Sequence, residues 1–257
     1  MGRKETGRID DPVVSGQLEA VRPFEVPVAA LRVSAPIGVP DSPAAPFDAT
    51  IGGLAEWRGK RALDVILSVL LALLLAPIAL LTALAIWVES PGSPVLFRQK
   101  RVGRRNREFS MLKFRTMHPD AEAVLQADGD LFEQFIVYDH KIPSHLDPRI
   151  TPTGRFLRRY SLDEIPQLLN VLAGDMSLVG PRPVERSQLA QYKERKPYYL
   201  ALRPGLTGLW QVGGRSKVKF PFRAELDEDY VRNCTLLMDL TILLRTPLAV
   251  LRGLNED

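Results

Sequence analysis

The strongest pattern in the chain is a run of apolar positions at residues 62–88, ALDVILSVLLALLLAPIALLTALAIWV, which carries a single charge, Asp64, near its start. As a straight helix it would be ~40 Å long, more than the ~30 Å hydrocarbon core of a bilayer requires. Pro77 lies close to its middle, where it removes a backbone donor and clashes with the preceding turn, at a cost of about 3 kcal/mol unless the helix bends. Each half would then be about 20 Å long and too short to cross alone. Arg58, Lys60 and Arg61 precede the run, and Arg98, Lys100, Arg101, Arg104, Arg105 and Arg107 follow it, so both flanks carry the cytoplasmic signature. A re-entrant helix over 57–89 that kinks at Pro77 and returns to its own side satisfies both flanks. The alternative is a tilted span that tolerates Pro77 and places the preceding tail outside. A buried helix of a soluble core is disfavoured, because the run shows no polar face.

Elsewhere the pattern changes character. Residues 1–56 are rich in Pro, Ala, Val and Ser, without helical or strand period, and predict a disordered tail. Its mixed-charge opening, MGRKETGRIDD, with no apolar stretch behind it, does not read as a secretory signal. Residues 90–257 read as one cytoplasmic domain. SPVLFRQKRVG and REFSMLKFRTM predict two short strands joined by a basic turn. Helices are expected around PDAEAVLQAD, LDEIPQLLNVLAG, VERSQLAQYKER and FRAELDEDYVRN, with LLMDLTILLRTPLAVLRG as a closing apolar helix suited to a membrane surface. The fold class is α+β, mainly α with a small β-hairpin, anchored by the kinked N-terminal helix.

Charge narrows the partners. A net charge of +4 and a pI near 9.3 favour polyanions, whether nucleic acid, anionic lipid or phosphorylated small molecules. The one cysteine, Cys234, excludes an internal disulfide and reads as a small buried residue; His118, His140 and His145 lack zinc-ligand spacing. Between Arg98 and Arg115 the basic residues face one acid, Glu108, which is sufficient for a patch that only holds anionic headgroups. Within it, however, LKFRTM interleaves Lys113 and Arg115 with Leu112, Phe114 and Met117, so that the two cations share one strand face, an arrangement suited to a diphosphate. A non-catalytic, membrane-anchored module for anionic lipid or nucleic acid is the competing function. No aromatic residues interleave with the patch at nucleic-acid spacing, so no nucleic acid is expected.

Three further stretches can carry chemistry. GPRP holds Arg182 between prolines, a stiff support for a phosphate-gripping guanidinium, although a structural turn explains the motif equally well. RPGLTGLWQVGGRSK is a Gly-rich loop with Gln211 and Arg215, but without P-loop or dinucleotide spacing. In RRYSLDEIPQLLN, Ser161 and Glu164 have the spacing of a capping box, so a purely structural account exists. Against it, Asp163 and Glu164 point about 100° apart on a helix and should hold separate jobs. The helix N-terminus and Arg158 and Arg159 should keep Asp163 ionised, able to bind Mg2+ or attack an electrophile.

Taken in order, KRALDVILS, KRVGRRNREFSMLKFRTM, DPRITPTGRFLRRYSLDEIPQLLNVLAGDMSLVGPRP, RPGLTGLWQVGGRSK and DLTILLRTPLAVLRG resemble the bacterial sugar transferases, the monotopic polyprenyl-phosphate phosphoglycosyl transferases, over residues 57–253. The resemblance implies Mg2+-dependent transfer of a sugar 1-phosphate from a UDP-sugar to polyprenyl phosphate by a covalent route that initiates glycan assembly. It implies Asp163 as nucleophile and Mg2+ ligand, Glu164 as its support, Arg158 and Arg182 as phosphate-binding residues, and Gln211 and Arg215 in the donor loop. It also implies a re-entrant helix, a bacterial inner-membrane location with the catalytic domain in the cytoplasm, contact with membrane lipids and, as an open option, a homodimer. The chain has a Pro-rich tail in place of the multi-span N-terminal domain of larger members, yet its insert DGDLFEQFIVYDHKIPSHLDPRIT is similar to theirs.

Overall fold

The computed structural model describes residues 56–137, 142–214 and 218–253. Residues 1–55 of the expected tail, His140 and Arg215 therefore lie outside the described residues, while Glu56, the tail's last residue, is ion-paired to Arg203 at 2.6 Å. A 30-residue helix, α1 (Lys60–Glu89), opens this region and runs unbroken through Pro77. Pro77, the expected kink position, lies inside this single helix and is itself exposed. Of the described helices, α1 alone is long and apolar enough to cross a membrane.

The face α1 turns toward the domain carries polar residues among apolar ones, contrary to expectation. Lys60, Asp64, Ser68, Thr82 and Ile86 are its buried residues. Leu67, Leu71, Ala72, Leu75, Ala79 and Ala83 continue the same stripe, half-buried against the core. The opposite face leaves Ile66, Leu70, Leu73, Leu74, Leu80, Leu81, Leu84 and Val88 more than half exposed. A few polar residues are hard to see as a face in a run of leucines, and here they dock the helix together with the leucines and alanines beside them.

After α1, β1 (Leu96–Val102) and β2 (Glu108–Phe114) form the expected antiparallel hairpin, with Phe97 opposite Lys113. Each face of β2 carries a buried apolar residue. Met111 packs with Leu168 and Val171, while Phe114 packs with Ile86 and Leu157. The clean division of β2 into a cationic and an apolar face is therefore corrected: Met111 is buried although it alternates in phase with Lys113. Short helices follow at α2 (Ala121–Ala127), α3 (Gly129–Val137), α4 (Pro152–Arg159) and α5 (Gln167–Ala173).

A second sheet, absent from the sequence reading, pairs β3 (Ser177–Val179) in parallel with β4 (Gly205–Thr207). Between them run α6 (Arg186–Leu189), a 3-10 stretch at Ala190–Arg195 and α7 (Lys196–Ala201). The strands are only three residues long, below what alternation can signal. Gly180 and Gly205 explain their close approach: a Cβ on Gly205 would lie 2.1 Å from the Gly180 nitrogen. Finally α8 (Leu209–Gly213), α9 (Phe222–Asn233) and the apolar α10 (Leu236–Gly253) close the main core around Leu178, Trp210, Tyr230 and Ile242.

Candidate active site

Asp163 and Glu164 sit between α4 and α5, in a 3-10 turn (Leu162–Glu164) rather than the first turn of a longer helix. Ser161 enters the left-handed region at φ 56°, a costly conformation for a residue with a Cβ, and makes no side-chain cap. The capping-box reading is thereby corrected. Because the chain reverses at Ser161 and restarts at Pro166, the N-cap of α5, the two carboxylates stand at the junction of two helices, beside the basic last turn of α4.

Each neighbour is placed by identifiable contacts. Asn170 on α5 clamps that helix to β2: its amide nitrogen donates to Ser110 O at 2.9 Å and its oxygen accepts from Leu112 N–H at 2.9 Å. Lys113 follows at once, with Nζ 4.0 Å from Asp163 Oδ2 and 3.6 Å from Glu164 Oε1. Thr151 caps α4 by accepting from Gly154 N–H at 2.9 Å. Gly154 packs against Thr116, where a Cβ would come within 2.0 Å of the Thr116 carbonyl. That contact brings Arg158 alongside, and its Nε donates to Thr116 Oγ1 at 2.9 Å. Arg182, in the loop after β3, donates to Glu164 Oε1 at 2.8 Å.

The electrostatics separate the two acids. Burial, and next the charge of Glu164, push the Asp163 carboxyl up to about 6, against the pull of Lys113, Arg158 and Arg182. A helix end with arginines nearby does not hold it at the ordinary value, because only 8% of Asp163 is exposed and desolvation dominates. Glu164 is ion-paired to both Lys113 and Arg182, so the two acids stand in different environments.

The remaining candidates are less directly placed. Both terminal nitrogens of Arg115 are buried without a hydrogen-bond partner, a guanidinium available to an anion although no contact joins it to the carboxylates. Gln211 donates to Leu206 O at 3.1 Å, and its buried Oε1 lacks a donor. Two residues escaped the sequence reading. Arg101, counted there with the lipid-facing patch, is ion-paired to Glu185 at 3.3 Å and lies within electrostatic reach of Arg182 and Glu164. Gln167, one turn beyond Asp163 on α5, is 2% exposed with an unpaired Nε2. The signal for it was a polar residue on the buried face of an apolar helix, three residues before Asn170.

A buried carboxylate beside a second one, with three cations close by, is the most concentrated cluster of charge that the sequence candidates form. By its match to the family model for bacterial sugar transferases over residues 55–253, the chain belongs to that family. It is 47% identical over 197 residues to a UDP-glucose:undecaprenyl-phosphate glucose-1-phosphate transferase of Caulobacter vibrioides, covering 73% of this chain and 67% of that protein. It is 40% identical over 204 residues to exopolysaccharide production protein ExoY of Sinorhizobium fredii, covering 78% and 87%. With the undecaprenyl-phosphate galactose phosphotransferase of Salmonella typhimurium it shares 41% identity over 198 residues, 75% of this chain but 40% of that protein's length.

Proposed function

We propose that the chain transfers a sugar 1-phosphate from a UDP-sugar to undecaprenyl or a related polyprenyl phosphate at the cytoplasmic face of a bacterial inner membrane. The observation that carries this reading is the buried Asp163 carboxylate set against Glu164 and surrounded by Lys113, Arg158 and Arg182. The names of the relatives support the substrate class. In the first half-reaction an Asp163 oxygen attacks the sugar-proximal phosphorus, an Asp–O–P bond forms, and the P–O bond to UMP breaks with its electron pair on UMP. In the second, a polyprenyl phosphate oxygen attacks the same phosphorus and the Asp–O–P bond breaks, giving polyprenyl-diphosphate-sugar and a free carboxylate. Lys113, Arg158 and Arg182 stabilise charge on the transferring phosphate, and Glu164 fixes the positions of Lys113 and Arg182.

Asp163 and Glu164, two adjacent carboxylates that raise the charge density of one spot, are a donor set suited to Mg2+, which is commonly held by one or two carboxylates together with substrate phosphates and water. No group of three or more His, Cys, Asp or Glu side chains among the described residues could hold a metal by itself. Asp163 would hold the ion, which would neutralise the diphosphate of the donor.

The re-entrant reading of α1 draws support from its ends. Lys60 in the first turn is ion-paired at 2.7 Å to Asp239 of α10, and Glu89 in the last turn accepts from Thr153 N–H of α4 at 3.1 Å. Bonds from one domain to both ends of a helix of about 45 Å favour a course with both ends on one side of the bilayer and the outer apolar face turned to lipid. The reaction is tested by a panel of UDP-sugars with Mg2+ and polyprenyl phosphate in detergent or nanodiscs, scoring UMP release and lipid-linked product. One donor should give both, with Asp163→Asn inactive; release by Asp163→Asn at the wild-type rate would reject the assignment.

A further inference from the structure

The N-terminal end of α1 holds both arms of the site from behind. Asp64, 2% exposed, accepts from Leu178 N–H at 3.1 Å and from the Ser177 hydroxyl at 2.8 Å, both in β3. Arg182 lies four residues beyond Leu178, and the chain between them is stiff. Gly180 N–H donates to Thr207 O at 3.0 Å, and Gly205 N–H donates to Pro181 O at 2.7 Å. Pro181 and Pro183 fix the backbone on either side of Arg182. On the same turn of α1, Arg61 donates to Val171 O at 2.6 Å and Leu172 O at 3.0 Å, carbonyls of the last turn of α5. The helix so capped begins three residues after Glu164. Neighbouring residues of a membrane helix therefore secure the two supports of one ion pair, Arg182 to Glu164.

We propose that Asp64 is a positioning residue for the transfer site. It fixes β3, and through the Gly180–Pro183 loop it sets the point from which Arg182 reaches Glu164 and the donor's phosphates; Arg61 fixes the opposite arm. The proposal rests on the transferase reading above. It makes α1 part of the catalytic frame as well as the membrane contact. It also predicts an order among substitutions. Asparagine keeps an acceptor for Leu178 N–H, and its amide can donate to Ser177 Oγ, whose proton then turns to Val179 O, 2.9 Å away. Leucine has a similar volume but leaves Leu178 N–H buried without an acceptor, and β3 must shift.

A double-mutant cycle tests it. The rate of UMP release at saturating donor is measured for Asp64→Asn, Asp64→Leu, Arg182→Ala and Asp64→Leu/Arg182→Ala, with melting temperature and membrane association recorded alongside. Asp64→Asn should stay within about threefold of wild type, Asp64→Leu should lose more than about tenfold, and in the Arg182→Ala background Asp64→Leu should cost less than about twofold. Equal losses in both backgrounds, or wild-type turnover by Asp64→Leu, would overturn the proposal. If Asp64→Leu fails to fold, Ser177→Ala in the same cycle, with a smaller loss and the same non-additivity, takes its place. UDP affinity by titration calorimetry repeats the cycle without turnover. Coupled UDP binding without UMP release would keep the positioning role and reject the transferase reading, whereas UMP release with additive losses would do the reverse. A wild-type protein that neither binds UDP nor releases UMP rejects both.

Discussion

At the scale of single residues, the account turns on how burial divides two adjacent acids. The nucleophilic form of Asp163 is the carboxylate, and burial together with Glu164 raises its pKa from the ordinary 3.8 to about 6. The sign follows directly: ionised above 6, Asp163 loses its reactive form as the pH falls through that value. In the metal-free protein the carboxylate should therefore be lost near pH 6, and Mg2+ held by Asp163 should carry the acid limb of kcat/KM below that value. Glu164→Gln removes one of the two causes of the rise and releases Lys113 and Arg182 to act on Asp163, so the limb should move toward lower pH in a pH–rate profile. A limb that stays in place or moves up would mean that another group controls it. The sequence made the Asp163–Glu164 pair and its cations legible as types and spacing. It could not convey the desolvation that sets the pKa, because that depends on the 3-10 turn and the αL residue at Ser161, which cost the chain something local and are settled by packing.

Elements were legible in proportion to their length. The apolar run gave α1, and the alternating basic segments gave the β1–β2 hairpin with its turn. The three-residue β3 and β4 were missed because such strands carry no period of their own; they are held by the opposed glycines 180 and 205 and by Asp64, far away in sequence. The stretch read as one helix from Leu162 to Gly174 is a 3-10 turn followed by α5, broken where Pro166 restarts the chain. What keeps α5 on the hairpin is Asn170, which is 4% exposed and bonded to Ser110 O and Leu112 N–H. Asn170→Ala leaves both backbone groups of β2 unsatisfied and should destabilise the fold by about 2–3 kcal/mol. Thermal or urea unfolding should register that loss, together with reduced activity as Lys113 drifts from the carboxylates. An alanine variant of wild-type stability would show that the clamp contributes nothing.

For the whole molecule, the proposed reaction brings a soluble donor and a lipid-borne acceptor to one site, which requires the catalytic domain to stay at the membrane surface. Both ends of α1 are bonded to that domain, and its outward leucines face away from it. In a Cys234→Ser background, single cysteines at the exposed Arg58 and Pro91, which flank α1, should both resist an impermeant thiol reagent in intact cells and react after permeabilisation. Labelling of either one from outside would establish a span instead. The central claim is that phosphorus passes through Asp163 between the two substrates. Protein given a competent UDP-sugar and Mg2+ but no polyprenyl phosphate should release about one UMP per active site and gain the mass of one sugar phosphate, mapped by peptide mass spectrometry to Asp163. Adding polyprenyl phosphate should discharge it. No burst and no adduct, with UMP formed only when both substrates are present, would contradict the covalent route and leave a direct displacement at the same site.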